Sequence, residues 1–429
     1  MAETQEVDLA EEAAKAELQP KLTPIWFNRD YMLLWSGQVI STLGSSASGI
    51  VFPLLILSLT GSPQAAGIAG ALGAIPYLIF SLPVGALVDR WDRKLVMILC
   101  DTGRALTLAS IPIALFFDVL TIWQIFIAAF IEGTLFVFFN IAEVAALPRV
   151  VPKAQLPEAT AQNQAAFAVA GITGPSIGTF LYQTVGHMAP FIADAISYIV
   201  SVISLFFIKT KFQLERAQGA AERHLGREIK EGLQWLWGQP LIRFMAFLTG
   251  GANFVNSATG LIWILLAKNL GADDGSIGIM FSIASVGGIF GSLIGGRIHK
   301  RFTFGQVIIS IMWMEALLFP LLLFAPNIYV IGALGALMFS LVPIYNVVQF
   351  SYRVALIPDE LQGRVNSTFR LIAFGFQPLG AFIAGFLLER YDVWVAVLAF
   401  SAWEFMLAVL ASVSTQVRNA KPLEEAQPA

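Results

Sequence analysis

GALVDRWDRKL, residues 85–95, packs five charged side chains into six positions: Asp89, Arg90, Asp92, Arg93 and Lys94. On either side run about twenty residues with almost no charge. A helix needs about 20 apolar residues to cross the ~30 Å hydrocarbon layer of a bilayer. The stretch therefore reads as a short charged loop between two membrane spans. Composition agrees. Of the 429 residues, 57% are hydrophobic and only 13% are charged, where a soluble domain has roughly a quarter charged. Mean hydropathy is +0.72. One soluble core cannot absorb that much apolar surface, so the outer surface must be apolar too, and the partner it implies is a lipid bilayer.

Working outward, apolar spans fall near 31–59, 64–88, 95–117, 121–146, 160–184 and 189–208. A second set falls near 241–267, 275–298, 304–325, 328–350, 366–389 and 393–416. The expected fold is an all-α membrane protein of twelve transmembrane helices in two pseudo-symmetric six-helix bundles, 25–208 and 241–416. Residues 1–24 form a polar, acidic tail without the basic start and apolar stretch of a signal peptide, and 417–429 form a second polar tail. Between the bundles, 209–240 is the longest polar stretch inside the chain. Its end, from about 226, has helical spacing with Leu233, Leu236 and Trp237 on one side. That pattern predicts a helix lying in the membrane interface, or else a plain linker.

Lys and Arg placement sets orientation. Lys268 and Arg390 fall in loops on one side, Arg104 and Arg370 lie inside spans, and the remaining basic residues gather on the other side. That side is expected to be cytoplasmic and to carry both termini and residues 85–95. The halves also resemble each other at an offset of about 205 residues. LPRVVPKAQLPEATAQN (147–163) answers VALIPDELQGRVNST (354–368), GITGPSIG (171–178) answers GFQPLG (375–380), and GALVDR (85–90) answers GGRIHKR (295–301). Two six-span repeats are what alternating access requires, because two bundles must rock against each other.

With these residues in hand, the chain resembles the major facilitator superfamily over about residues 25–415. GALVDRWDRKL is similar to the superfamily's loop 2–3 signature G-x-x-x-D-R-x-x-R followed by Arg or Lys, with Asp92 where many members have Gly. FNRDYMLLWSGQVISTLG (27–44), DTGRAL (101–106), FFNIAEVAALPRVVP (138–152), FIADAISYIVS (191–201) and EGLQWLWGQPLIR (231–243) resemble the bacterial branch of enterobactin-exporter-like and macrolide-efflux-like proteins. The resemblance implies that the charged loop is a cytoplasmic latch. Asp89 would cap a C-half helix near Val365–Thr368, where the positive helix end favours an acid. Arg90 and Arg93 would pair with acids at span ends, Glu143 among them, and Gly85 would let helices pack closely. The alternative is that Arg90, Arg93 and Lys94 only set topology. GITGPSIG matches the superfamily's antiporter motif. Gly171, Gly174 and Gly178 are expected to form one flat face for a neighbouring backbone, and Pro175 to bend the helix. Ordinary small-residue packing would use the same residues.

Ionisable residues deep in spans are functional hypotheses, because burying them is costly. Glu132, in the fourth span, reads as a lone carboxylate able to bind a proton or a cationic substrate, or as a neutral acid hydrogen-bonded to a neighbouring helix. Asp101 and Arg104 share a helix face, as a structural ion pair or part of the gating network. Glu315 and Glu404 lie mid-span, as a pair sharing a proton or as two separate acids. Arg370 would meet a cytoplasmic-side acid or an anionic substrate group. Asp194 is expected to bond between helices. A cavity is expected among Gln38, Thr42, Glu132, Phe136, Asn140, Asn253, Asn256, Tyr345, Asn346 and Arg370, with Phe139, Phe254 and Trp263 as further walls. Such a lining suits a bulky amphipathic ligand with few polar anchors.

Other classes are set aside. The net charge of −3 gives no nucleic-acid footprint. Cys100 is the only cysteine and His187, His224 and His299 are scattered, so no metal spacing is present. No G-x-x-x-x-G-K-S/T loop is encoded, and no nucleophile–base pair has a credible setting. The chain is therefore not expected to be an enzyme, nor to carry a cofactor. The expectation is a monomeric, multi-pass protein of the bacterial plasma membrane that exports a small amphipathic molecule (drug, macrolide or siderophore) against protons. A lipid flippase, an uptake permease, or a non-transporting sensor or assembly partner on the same fold are the alternatives.

Overall fold

The protein's structure, a computed structural model, describes residues 24–88, 90–213, 225–358 and 361–420. Asp89, the centre of the expected latch, lies outside the described residues. In chain order the helices are α1 (Arg29–Thr60), α2 (Pro63–Val88), α3 (Arg93–Phe116), α4 (Ile122–Val150), α5 (Leu156–Thr184) and α6 (Ala189–Phe207). After the linker helix α7 (Leu225–Gly238) come α8 (Pro240–Asn269), α9 (Asp274–Arg301), α10 (Phe304–Leu321) and α11 (Ile328–Leu356). The chain ends with α12 (Gln362–Gly375), α13 (Gln377–Arg390) and α14 (Val393–Val413). These make twelve spans, with α12 and α13 together forming the eleventh.

Short polar side chains start the helices. Asn28, Asp92, Thr121, Asp273, Thr303 and Asn327 each accept a hydrogen bond from the backbone N–H three residues on, which satisfies a donor the helix cannot. Asp92 thus serves locally as the cap of α3, through a bond that Gly, lacking a side chain, could not make. The eleventh span is broken where GFQPLG sits. Pro378 has no N–H to continue the ladder, and bonding restarts with Gly380 N–H on Phe376 O. By contrast α5 runs unbroken through Pro175.

In the N-terminal half α1 packs on α5 and α6, α2 on α4, and α3 on α4 and α6. In the C-terminal half α9 packs on α11, α8 on α13 and α14, and α10 on α11 and α14. The linker helix docks on α12. Leu236 is buried with Val365 and Phe369, and Arg364 Nη1 lies 2.6 Å from Glu231 Oε2. Leu233 and Trp237 stay exposed, the amphipathic arrangement of an interfacial helix.

The halves meet along two seams, α2 against α13 and α5 against α9. An even number of spans puts Arg29, Val413 and residues 90–93 at one face, here the terminal face. At the far face Ser62 Oγ donates to Glu389 at 2.7 Å and Gln64 N–H donates to the same carboxylate at 3.2 Å. Ser176 and Ser282 bond across the second seam at 2.8 Å. The contact nearest the terminal face is Arg370 donating to the Tyr77 hydroxyl. Tyr77 lies about 21 Å along α2 from its far-face end, at ~1.5 Å per residue. Among the described residues, every hydrogen bond between the halves thus lies at mid-membrane or beyond it. A Cβ on Gly85 would meet no atom within 4 Å, so the close packing expected of Gly85 is not made in this conformation. Among the described residues the hydrogen bonds that join the halves thus gather at the far face and mid-membrane.

The α2–α13 seam depends on glycine. A Cβ on Gly385 would stand 2.8 Å from Gly67 Cα and 2.8 Å from Pro63 O, both backbone atoms that cannot yield. Gly385→Leu is expected to pry this seam apart and raise maleimide labelling of a Ser62→Cys reporter severalfold. Unchanged labelling would mean that another contact holds the far face shut.

Candidate functional site

A cavity of about 790 Å³ lies within the C-terminal half, walled by α8, α10, α11, α12 and α14. It brings together Asn253, Asn256, Tyr345, Asn346 and Arg370, all expected in a cavity, with Glu315 and Glu404. Local bonds fix the polar positions. Asn253 Nδ2 donates to Ala373 O at 2.8 Å, and the Tyr345 hydroxyl bonds Thr249 Oγ1 at 2.7 Å. Met312, Met338, Phe339 and Phe374 supply apolar wall. The lining matches a ligand that is mostly apolar and held by a few polar groups.

Four charged residues face this space: Glu315, Glu404, Arg353 and Arg370. Glu404 is 3% exposed and its Oε2 has no partner among the described residues. The two carboxyls are close enough to feel each other's charge. Among the described residues neither forms an ion pair with Lys, Arg or His. Their helices pack against each other, which is how two acids of the ninth and twelfth spans reach one cavity. By sequence Arg353 counts among the basic residues outside the spans, because the polar run SYRVALIPDE hides it. The helix in fact continues to Leu356 and carries Arg353 inward, 7% exposed. Its spacing of three from Phe350 is the signal that could have placed it.

The N-half candidates do not join this cavity; Gln38, Thr42, Glu132, Phe136 and Asn140 are all absent from its wall. Glu132 is not a lone carboxylate. Arg104 holds its Oε1 through Nε and Nη2, each at 2.7 Å, and the Tyr198 hydroxyl donates to the same oxygen at 2.9 Å. The guanidinium also lies over the Tyr198 ring at 4.2 Å and the Phe136 ring at 5.6 Å. Asp101, read as the partner of Arg104, stands 4.0 Å from it and takes a closer 2.6 Å bond from Ser201. The better geometry belongs to Glu132, which reaches Arg104 across the α3–α4 contact. Asp194 accepts bonds from Ser48 at 2.5 Å and Ser197 at 3.1 Å, tying α6 to α1. Trp263 is fully buried against Phe281 and Phe339, and Phe254 packs on Phe400 and Trp403. Neither is a cavity wall of the kind expected.

In the charged loop, Arg93 Nη1 donates to Ala145 O at 2.8 Å and Phe212 O at 3.3 Å, and Lys94 Nζ to Ile208 O at 2.8 Å. Ile208 caps α6, where orphan carbonyls favour cations, while Ala145 lies five residues inside the end of α4. Arg90 is exposed. Glu143, the acid expected to meet these cations, is buried and hydrogen-bonded by Gln38. Along α5, Gly174 and Gly178 seat the backbone of α1, with hypothetical Cβ atoms 3.0 Å from Ser46 C and 2.8 Å from Ala47 C. Gly171 meets nothing within 4 Å, so the flat face has two glycines rather than three. Pro175 O lies against Gly278 of α9, which places the motif at the seam between halves.

Comparison with known proteins agrees with this geometry. The family described as transmembrane secretion effector matches residues 21–428. The multidrug efflux pump Tap of Mycolicibacterium fortuitum is 27% identical over 420 residues, covering 90% of this chain and 96% of that one. Macrolide efflux protein A of Streptococcus pyogenes is 26% identical, covering 85% and 90%. Among solved structures, a mutant of the nucleoside transporter NupG superposes with a TM-score of 0.74 at 16% identity, covering 90% and 99%. A bacterial homologue of the iron transporter ferroportin, in its inward-facing state, gives 0.71 at 14%, covering 90% and 98%.

Proposed function

Because the chain belongs to the transmembrane secretion effector family and has the major facilitator fold, we propose that it is a proton-coupled exporter of an amphipathic small molecule, working by alternating access in the plasma membrane. It is a multi-pass membrane transporter rather than an enzyme, and efflux pumps are among its relatives. The terminal face is cytoplasmic on this reading, since the basic residues gather there.

The observation that carries the proposal is the pair of acids, Glu315 and Glu404, that share one cavity and form no ion pair among the described residues. Two ionised carboxylates without cations are expensive inside a membrane. A proton on each removes that cost, and a substrate bound beside them can displace the protons. Protons entering from outside and substrate entering from the cytoplasm would then compete for one space, which is the requirement for exchange. Glu132 is the weaker candidate for the same role, because Arg104 already neutralises it.

The test uses purified protein in proteoliposomes with an imposed pH gradient and a panel of fluorescent amphipathic compounds. Gradient-driven movement of at least one compound, collapsed by a protonophore, is expected. Movement that ignores the gradient would remove proton coupling, and no movement of any compound would remove the export reading.

A further inference from the structure

The cavity holds a cation that no described residue uses. Arg353 lines it and is 7% exposed, yet among the described residues no side chain or carbonyl accepts from its guanidinium, and its Nε is buried without a partner. A guanidinium offers five N–H donors, and leaving them unmet in a membrane cavity is costly. Its flat face is occupied: Phe369 lies 4.1 Å away and Phe350 5.4 Å. The stacking fixes the plane, so the donors at its rim are pre-oriented. Arg370 lines the same cavity and lies within charge reach of Arg353. Its one hydrogen bond among the described residues goes to a neutral phenol, Tyr77. Two cations therefore repel each other at one end of the cavity, and among the described residues no acid pairs with either.

Arg353 sits three residues from the terminal-face end of α11, and Arg370 eight residues into α12. Glu404 and Glu315 lie nine and eleven residues from the same face along α14 and α10, so Arg353 is the shallowest of the four and Arg370 and Glu404 lie at nearly one level. Phe350, Phe369 and Phe374 surround the cationic end. An occupant that satisfies this arrangement brings an acidic group to the arginines and apolar, preferably aromatic, surface to the phenylalanines.

We propose that Arg353 and Arg370 form an anion-binding subsite, and that the ligand of this cavity is an amphiphile bearing a carboxylate on an aromatic body. A carboxylate matches the flat guanidinium rim through paired hydrogen bonds. A basic amine elsewhere on the molecule would suit Glu315 and Glu404, making a zwitterion the fullest match. The proposal rests on the export reading only for the statement that this ligand is carried across; binding itself does not depend on it.

Binding is measured on the full chain in phosphatidylcholine nanodiscs, with a fluorescent quinolone carboxylic acid and its methyl ester as probes. The acid is expected to bind about tenfold tighter than the ester or better, the worth of one charge-assisted hydrogen bond. Arg353→Gln should erase that preference, Arg353→Lys should keep part of it, and Arg370→Gln should weaken it. Each variant is first checked for wild-type elution on size exclusion, and the wild-type acid-to-ester ratio stands even if a variant does not fold. Equal affinity for the two probes, binding of neither, or a preference that survives Arg353→Gln would overturn the subsite. A preserved preference in protein that moves nothing under a pH gradient would uphold the subsite and remove the export reading alone.

Discussion

Replacing Glu315 and Glu404 together by Gln is expected to abolish gradient-driven accumulation while downhill exchange of substrate continues. Gln keeps the shape and hydrogen-bonding capacity of Glu but cannot gain or lose a proton. A one-unit pH gradient is worth about 1.36 kcal/mol per proton, enough for about a tenfold concentration ratio if one proton is exchanged. Wild-type vesicles should approach that ratio, and the double variant should fall to unity. The single variants separate two arrangements. If the acids share one proton, either substitution alone should suffice. If each carries its own, each single variant should retain part of the ratio. An undiminished ratio in the double variant would remove both acids from coupling and return attention to the buried cluster around Glu132.

Much of this architecture is legible without coordinates, for a physical reason. Lipid imposes a simple rule on sequence, a run of about 20 apolar residues per crossing, and charged loops such as 85–95 punctuate the runs. The twelve spans follow from that rule, and the helix at the end of the linker from the spacing of Leu233, Leu236 and Trp237. The site is harder to read, because the side to which a helix turns its polar residues depends on partners far along the chain. Glu132 looks solitary in FIAAFIEGTLFVFF, since nothing local predicts that Arg104, 28 residues earlier, reaches across from α3. Arg353 misleads in the opposite direction. Its polar surroundings suggest a loop, whereas α11 extends past it. Glu315 and Glu404 are 89 residues apart in sequence and converge only because α10 packs on α14. The break at GFQPLG is foreshadowed by its proline, while Pro175 shows that the same signal can leave a helix whole.

The buried cluster of the N-terminal half gives the second large effect. Arg104→Met should destabilise the protein by about 3–5 kcal/mol, the usual cost of removing one partner from a buried ion pair. Among the described residues the guanidinium is the cation that serves two acids, Asp101 and Glu132, and it also packs on Tyr198. Without it, Glu132 retains only the Tyr198 hydroxyl, and α3, α4 and α6 lose the group that holds them together. Glu132→Gln should cost less, because the amide oxygen can still accept from Arg104 and Tyr198. Arg104→Met combined with Glu132→Leu should recover most of the loss, since replacing a whole buried pair by apolar residues is often neutral. Thermal melting of detergent-solubilised protein on size exclusion reads all three. A double variant no more stable than Arg104→Met would show that Arg104 is needed by Asp101 or the Tyr198 ring more than by Glu132. A double variant that melts near wild type and still transports under a pH gradient would establish that the Arg104–Glu132 pair is dispensable to both fold and coupling, leaving proton traffic to the acids of the cavity.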